Sequence, residues 1–146
     1  MAKVSIYLNF MGNTEEAFDF YKKTFKTEFS VPIMRIGDMP AQPGAPTLSE
    51  ADKKSVMHVA LPIIGGTEIM GTDMLESMGH KLIIGNNTTI SLNLDSKEEA
   101  DRIYNALSQG GDAKQCVAPH DEFWGYWGVC LDKFGIRWMF NVMKQQ

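Results

Sequence analysis

The chain has 146 residues, of which 44% are hydrophobic and 22% are charged, and its formal net charge is −4. This length and composition are typical of one soluble domain with a sizeable core. A negative chain without dense clusters of Lys and Arg is a poor partner for nucleic acid or an anionic membrane. No apolar run is long enough to span a membrane and no basic-then-apolar leader is present, so we expect a cytoplasmic protein.

A short pattern occurs twice in the chain. Ser5-Ile6-Tyr7-Leu8-Asn9-Phe10 returns as Thr89-Ile90-Ser91-Leu92-Asn93-Leu94, and each copy is followed by Glu-Glu-Ala within a helical pattern. Apolar and polar residues alternate in both copies, as they do in a half-buried strand. The repeat predicts two equivalent halves, each opening with a strand and a helix.

The first half is predicted to contain a strand, a helix and three further strands. Asn13 and Glu16 have the spacing of a capping box, which opens a helix that runs to about Phe25. The further strands are predicted over residues 28–36, 56–64 and 67–72, with a Gly-Gly hairpin turn between the last two. Residues 37–55 hold three prolines, so we expect a long loop that is a lid, a binding loop or simply mobile. Residues 73–87 are predicted to link the halves.

The second half repeats this order. A strand over residues 88–95 leads to Ser96, whose spacing to Glu99 predicts a capping box and a helix to Gln109. We expect an edge strand over 113–118 that ends at Pro119, then the polar loop His120-Asp121-Glu122, then a closing hairpin of residues 124–131 and 136–142. The predicted fold class is α+β. One domain, residues 1–146, would consist of two tandem βαβββ modules (about 1–75 and 86–146) whose mixed, curved sheets form a groove.

Motifs spread over nearly the whole chain carry a family resemblance. They are Tyr7-Leu8-Asn9-Phe10, Gly12-Asn13, Glu15-Glu16-Ala17-Phe18, Ile36-Gly37-Asp38-Met39-Pro40, Gly66-Thr67-Glu68-Ile69-Met70, Phe123-Trp124 and Asp132-Lys133-Phe134-Gly135-Ile136-Arg137-Trp138-Met139. With the doubled βαβββ order, the chain resembles the vicinal oxygen chelate superfamily, which includes glyoxalase I, bleomycin-resistance proteins and extradiol dioxygenases. In detail it is similar to the PhnB-like branch, often labelled 3-demethylubiquinone methyltransferase-like. Membership would define the fold better than the activity.

The resemblance also implies where a metal would be bound. Catalytic members hold a divalent metal with side chains on the first and last strands of each half, and the internal repeat matches those positions to Ser5, Thr89, Met70 and Met139. This set does not suit a hard divalent ion, so we expect no metal and no other cofactor. We also expect no S-adenosylmethionine-dependent activity, because the chain lacks a Gly-rich strand-to-helix turn followed by an acidic residue.

The strand alternation identifies side chains that would line the groove. They are Tyr7, Asn9, His58, Met70, Ser91, Asn93, Trp124, Tyr126, Arg137 and Met139. Aromatic and Met walls with a few amides are typical of a small-molecule pocket. Structural roles are open for three of them: Asn9 and Asn93 could pair with each other or with backbone, and His58 could be a satisfied core residue. Arg137 could receive an anionic group or form an ion pair with Glu68.

Two functional hypotheses follow from these residues. The first is binding of an unidentified small organic molecule without a catalytic metal, as bleomycin-resistance-type members sequester their ligands. The second is a glyoxalase-type lyase or isomerase that uses His58 or Glu68, with or without a metal. The resemblance further implies a homodimer.

Overall fold

The computed structural model describes residues 1–145. The chain divides into two compact units, Met1–Ile83 and the residues from Ile84 onward. Each unit contains one four-stranded mixed sheet. The predicted α+β class with a repeated βαβββ order is confirmed. That the two units together form a single domain stays a prediction.

The first unit follows the repeat pattern with one added helix. Its elements are β1 (Ile6–Phe10), α1 (Thr14–Phe25), β2 (Val31–Arg35), α2 (Glu50–Lys54), β3 (Val56–Pro62) and β4 (Glu68–Asp73). The sheet order is β1-β4-β3-β2, with β1 parallel to β4 and the other pairs antiparallel. The predicted loop 37–55 is therefore not all loop: it contains α2, whose N-cap Ser49 accepts a hydrogen bond from the Asp52 backbone. Residues 36–38 add a turn of 3₁₀ helix.

Helix α1 packs on one face of this sheet through a close contact at Gly71. A Cβ atom at Gly71 would lie 2.4 Å from the Phe18 ring, so only glycine allows the helix so close to β4. Phe18, Tyr21 and Ala17 are fully buried at this contact, beside Leu61 of β3. These residues of α1 therefore belong to the core of the first unit.

The start of α1 is capped by a residue distant in sequence. Asn13 occupies the N-cap position as predicted, but its side chain makes no capping hydrogen bond. The carboxylate of Asp73, at the end of β4, instead accepts from the backbone N–H groups of Gly12 and Thr14 at 3.0 and 3.1 Å and from the Thr14 hydroxyl at 2.6 Å. Its second oxygen accepts from the Val56 backbone at 2.8 Å. One buried carboxylate thus joins α1, β3 and β4, at the helix end where a negative charge is favourable.

The second unit repeats the plan without an added α-helix. Its elements are β5 (Ile90–Asn93), α3 (Lys97–Leu107), β6 (Val117–Glu122), β7 (Gly125–Leu131) and β8 (Arg137–Met143), with a 3₁₀ turn at 113–115. The sheet order is β5-β8-β7-β6, with β5 parallel to β8. The predicted Ser96 cap of α3 is confirmed, since its side chain accepts from the Glu99 backbone at 3.2 Å.

The core of this unit is built around Trp138. Its side chain is fully buried, and its indole N–H donates to Asp132 Oδ2 at 2.9 Å. Asp132 Oδ1 accepts from the backbone of Phe134 and Ile136, which holds the turn between β7 and β8. The predicted turn over residues 132–135 is confirmed.

The edge strand of the second half begins later in the chain than the predicted range of residues 113–118. Strand β6 spans Val117–Glu122, so Pro119 lies within it and His120, Asp121 and Glu122 are strand residues, not a loop. Pro119 is accommodated because β6 is an edge strand and its register with β7 shifts between Val117 and His120. The edge strand β2 accommodates a proline in the same way, because Pro32 lies where its register with β3 shifts.

None of the helices within residues 1–145 is both long and apolar enough to cross a membrane.

Candidate functional site

The first sheet has a face opposite α1, called here the first-sheet face. The strand register places Tyr7 of β1 beside Met70 of β4, and Met70 beside Ala60 of β3. His58 is two residues from Ala60 and pairs with Met34 of β2. The first-sheet face therefore carries Tyr7, Asn9, Met34, His58, Ala60, Met70 and Thr72. The predicted residues of the first half thus share one face.

Tyr7 and His58 form a polar pair on this face. The Tyr7 hydroxyl lies 3.1 Å from His58 Nδ1, and the two ring centroids are 5.7 Å apart. When the phenol donates, the neutral imidazole carries its proton on Nε2, for which residues 1–145 offer no partner. Tyr7 is 48% exposed, so the pair is open to a ligand.

Glu68 lies on the same side of β4, two residues before Met70. Its carboxylate accepts from Lys3 Nζ at 2.8 Å and from the Ser30 hydroxyl. The hydrogen bond from Lys3, and then that from Ser30, lower the pKa of Glu68, and the charge of a protonated His58 lowers it further. Glu68 is therefore an ionised neighbour of the Tyr7–His58 pair and is held by Lys3 in its own unit.

The second sheet has an equivalent face opposite α3, called here the second-sheet face. Its side chains form three rows across the strands. Leu131 and Arg137 form one row, with Gln115 bound to Arg137. Val117, Val129, Met139 and Ser91 form the next row, and His120, Trp127, Asn141 and Asn93 form the third. Asn141 Nδ2 donates to the Ser91 hydroxyl at 3.0 Å. The face is therefore cationic at one end, apolar in the middle, and aromatic with amides at the other end.

The predicted strand side of Tyr126 is wrong. Its hydroxyl donates to Asp101 of α3 at 2.7 Å, which places the ring on the helix side of the sheet. This hydrogen bond, with partial burial, raises the pKa of Tyr126 to about 12. Trp127 takes its place on the second-sheet face. Gly128 shares the side of Tyr126 and pairs with the buried Phe140.

Trp124 lies outside both faces. It occupies the turn between β6 and β7 with Phe123, the two rings meeting edge to face at 4.8 Å. Trp124 is 38% exposed and Phe123 84% exposed. The predicted alternation fails here because Trp124 precedes the strand.

His120 is a site residue that the strand prediction missed. It pairs with Trp127, and their rings meet edge to face at 5.8 Å. Its Nε2 lies 2.8 Å from Glu122. The carbonyl of Ala118, and then Glu122, raise the pKa of His120 above its ordinary value. The third row therefore offers an imidazole whose protonated form is stabilised by these two acceptors.

The remaining predicted residue, Arg137, is only partly satisfied. Its guanidinium donates to the Gln115 side-chain oxygen, while its Nε is buried with no acceptor among residues 1–145. This orphaned donor lies at the cationic end of the second-sheet face.

The positions that the family resemblance assigns to metal ligands do not suit a hard divalent ion. Met70 and Met139 offer a soft thioether each, and Ser5 and Thr89 offer neutral hydroxyls. Within residues 1–145 no three His, Cys, Asp or Glu side chains lie close enough to hold an ion. We therefore derive no chemical step from a metal.

Two open cavities lie away from both faces. One of about 490 Å³ adjoins the start of α3, between Lys97, Asp121 and Met143, and another of about 610 Å³ lies between Met11 and Ser77. Both walls mix charged and polar side chains with apolar ones: the first includes Tyr126, Val142 and Met143, and the second includes Met11, Met74 and Leu75. The sheet faces have the mixed aromatic, Met and amide character that ligand sites usually show.

Two mixed sheets, each backed by a helix, define a protein of the glyoxalase/bleomycin-resistance fold. The fold matches that of a glyoxylase/bleomycin resistance protein/dioxygenase domain from Frankia sp. EAN1pec, with a TM-score of 0.60 over 99% of this chain and 97% of that chain. At 12% identity this likeness concerns the fold alone. A crystal structure of protein PA1353 from Pseudomonas aeruginosa is more similar: it has a TM-score of 0.81 and 29% identity, over 99% of this chain and 100% of that chain.

The family is shown by the sequence itself. The family model described as 3-demethylubiquinone-9 3-methyltransferase matches residues 2–141. Protein YjdN from Escherichia coli (strain K12) is 33% identical over 149 residues, which cover 98% of this chain and 97% of that protein. The chain therefore belongs to this family, as the resemblance predicted, and it has the fold of the glyoxalase/bleomycin-resistance proteins.

Proposed function

We propose that this protein binds a small organic molecule on the helix-free faces of its sheets, without a catalytic metal. The observation that carries the proposal is the second-sheet face, where Met139, Val129 and Trp127 form an apolar and aromatic surface bordered by amides and one cation. Large apolar groups beside a few polar groups favour the burial of a ligand body with defined orientation. The homodimer and the cytoplasmic location rest on the resemblance and composition alone and stay predictions.

A thermal-shift screen followed by calorimetry tests this proposal. Any hit should weaken by about tenfold in Met139→Ala or Met70→Ala, because each truncation removes roughly 1.5 kcal/mol of apolar contact with the ligand. Met78→Ala is the matched control, since Met78 is exposed and lies on neither face.

Metal analysis of protein purified without chelator completes the experiment. We expect no stoichiometric divalent ion. An ion retained at one per chain and lost on Met70→Ala or Met139→Ala would contradict the proposal, as would hits whose affinity none of the face variants changes.

The methyltransferase description of the family does not supply the function. The connection between β1 and α1 contains a single glycine, Gly12, and that between β5 and α3 contains none. Gly65-Gly66 forms a hairpin turn and Gly110-Gly111 follows a helix. S-adenosylmethionine, the usual methyl donor, therefore has no glycine-rich strand-to-helix turn against which to bind.

The Tyr7–His58 pair favours a second candidate function, acid–base catalysis in a lyase or isomerase. When Nδ1–H donates to the Tyr7 hydroxyl, Nε2 of the neutral His58 ring is unprotonated and could take a proton from a bound carbonyl compound, while Tyr7 orients the ring. Glu68 would stabilise the imidazolium, since the two charges interact.

Proton exchange in D₂O tests this second candidate. We expect wild-type protein to remove the α-proton signals of an enolisable probe such as hydroxyacetone, and His58→Gln to slow this at least 100-fold because the base is lost. Tyr7→Phe should cost less, about tenfold, since it removes only the orienting contact. His80→Gln is the control: His80 accepts from the Leu75 backbone and lies off the face. Equal exchange in His58→Gln and wild type would exclude the role.

A further inference from the structure

Arg137 stands out among the three arginines of the chain. Arg35 pairs with Glu15 at 2.9 Å, and Arg102 pairs with Glu99 at 2.8 Å. Arg137 is half-buried, yet no carboxylate within residues 1–145 forms an ion pair with it. Among the described residues, the arginine that has a buried nitrogen without an acceptor is therefore also the one without a counter-ion.

The guanidinium of Arg137 is also short of hydrogen-bond acceptors. One terminal nitrogen donates to Gln115 Oε1, but Nε is buried without an acceptor. A buried donor left unsatisfied costs about 1–3 kcal/mol, and more for a charged group. The carboxylate of Asp112 accepts hydrogen bonds from the Lys114 backbone and from Gln115 Nε2. Asp112 is therefore connected to Arg137 only through the side-chain amide of Gln115.

The residues around Arg137 indicate what kind of ligand would carry an acceptor group for its guanidinium. Met139 is two residues farther along β8, about 7 Å away at the rise of a strand, and Asn141 and Trp127 follow in the next row. Between the cation and the aromatic end lies the apolar row of Val129 and Met139. A carboxylate or phosphonate binds a guanidinium through two parallel hydrogen bonds, which Nε and a terminal nitrogen can supply.

From these contacts we infer that Arg137 receives the anionic group of the ligand, so that the ligand is a small organic anion with an apolar body about 7–13 Å long. This inference rests on the proposed binding function and adds the chemical class of the ligand. A polyanion does not fit, because one arginine on a chain of net charge −4 cannot neutralise a row of phosphates.

Matched probes test the inference. Calorimetry would compare 3-phenylpropanoate, its phosphonate analogue 3-phenylpropylphosphonate, and the neutral 3-phenylpropan-1-ol. Wild-type protein should bind an anion at least tenfold more tightly than the alcohol, and the preference should fall as salt is raised from 50 to 200 mM, as for any partly exposed charge pair. The two anionic arms distinguish a carboxylate from a phosphonate source.

Three variants assign the effect to Arg137. Arg137→Gln should abolish the preference for the anion while changing affinity for the alcohol by less than twofold. Arg137→Lys should keep only part of the preference, because an ammonium keeps the charge but loses the paired donors. Arg35→Gln is the matched control and should leave the preference intact.

The outcomes separate this inference from the proposed function. If the alcohol binds as tightly as the anions, or Arg137→Gln retains the preference, the inference is overturned while ligand binding stands. If neither these probes nor the screened compounds bind, both fail. Should Arg137→Gln not fold, nitrogen-15 spectra of the wild type decide: the Arg137 Nε–H resonance must shift on titration with the anion, and its failure to do so overturns the inference.

Discussion

Replacing Asp73 by alanine should lower the free energy of unfolding by about 4 kcal/mol. The Asp73 carboxylate accepts four hydrogen bonds, of which those from the Thr14 and Val56 backbones are buried. Alanine leaves these donors unsatisfied, at about 1–3 kcal/mol each, and removes the negative charge from the start of α1. Asparagine keeps the shape and one acceptor oxygen, so Asp73→Asn should lose only about 2 kcal/mol.

Urea unfolding followed by far-ultraviolet circular dichroism measures this loss. Tryptophan emission would be the wrong readout, because all three tryptophans belong to the second unit. The control is Asp19→Asn, an exposed acidic residue on α1 that should change stability by less than about 0.5 kcal/mol. An Asp73→Ala variant as stable as this control would show that the capping contacts do not hold α1 to the sheet.

Replacing Trp138 by alanine should destabilise the protein by about 3–5 kcal/mol. The side chain is fully buried between strand neighbours on β5 and β7, so truncation leaves a large cavity. The truncation also removes the hydrogen bond that the indole N–H donates to Asp132 Oδ2. Trp138→Phe fills most of the cavity but makes no hydrogen bond, and about 2 kcal/mol is expected for it.

The same dichroism experiment applies, with Trp124→Ala as the matched control. Trp124 is partly exposed in a turn, so its truncation should cost less than about 1 kcal/mol. Similar midpoints for Trp138→Ala and Trp124→Ala would contradict the view that Trp138 centres the core of its unit.

The sequence alone predicted the features that depend on local periodicity. Alternation in the repeated pattern placed Tyr7, Asn9, Ser91 and Asn93 on the faces opposite the helices, and the register agrees. The same reasoning failed on β7, because Tyr126 and Trp127 are adjacent aromatics and either could face the helix. Only the contact of Tyr126 with Asp101, 25 residues away, decides the parity.

The features that escaped prediction depend on tertiary contacts. Asn13 had the spacing of a cap, but a carboxylate 59 residues from Thr14 takes over that role once β4 lies beside α1. The orphaned Nε of Arg137 cannot be read from its neighbours in sequence, since it follows from the burial of one side-chain atom. The sequence leaves two alternatives for Arg137, an anionic ligand group and an ion pair with Glu68, and the folded chain supports the proposal of the first because Glu68 is paired with Lys3.

The prolines of the edge strands bear on association as well as on register. Neither Pro32 on β2 nor Pro119 on β6 can donate a main-chain hydrogen bond, and both lie where the ladder is already irregular. A foreign strand that approached either edge would meet an interrupted row of donors. The two interruptions therefore oppose amyloid-like pairing of strands between chains during synthesis, when partly folded sheets have exposed edges.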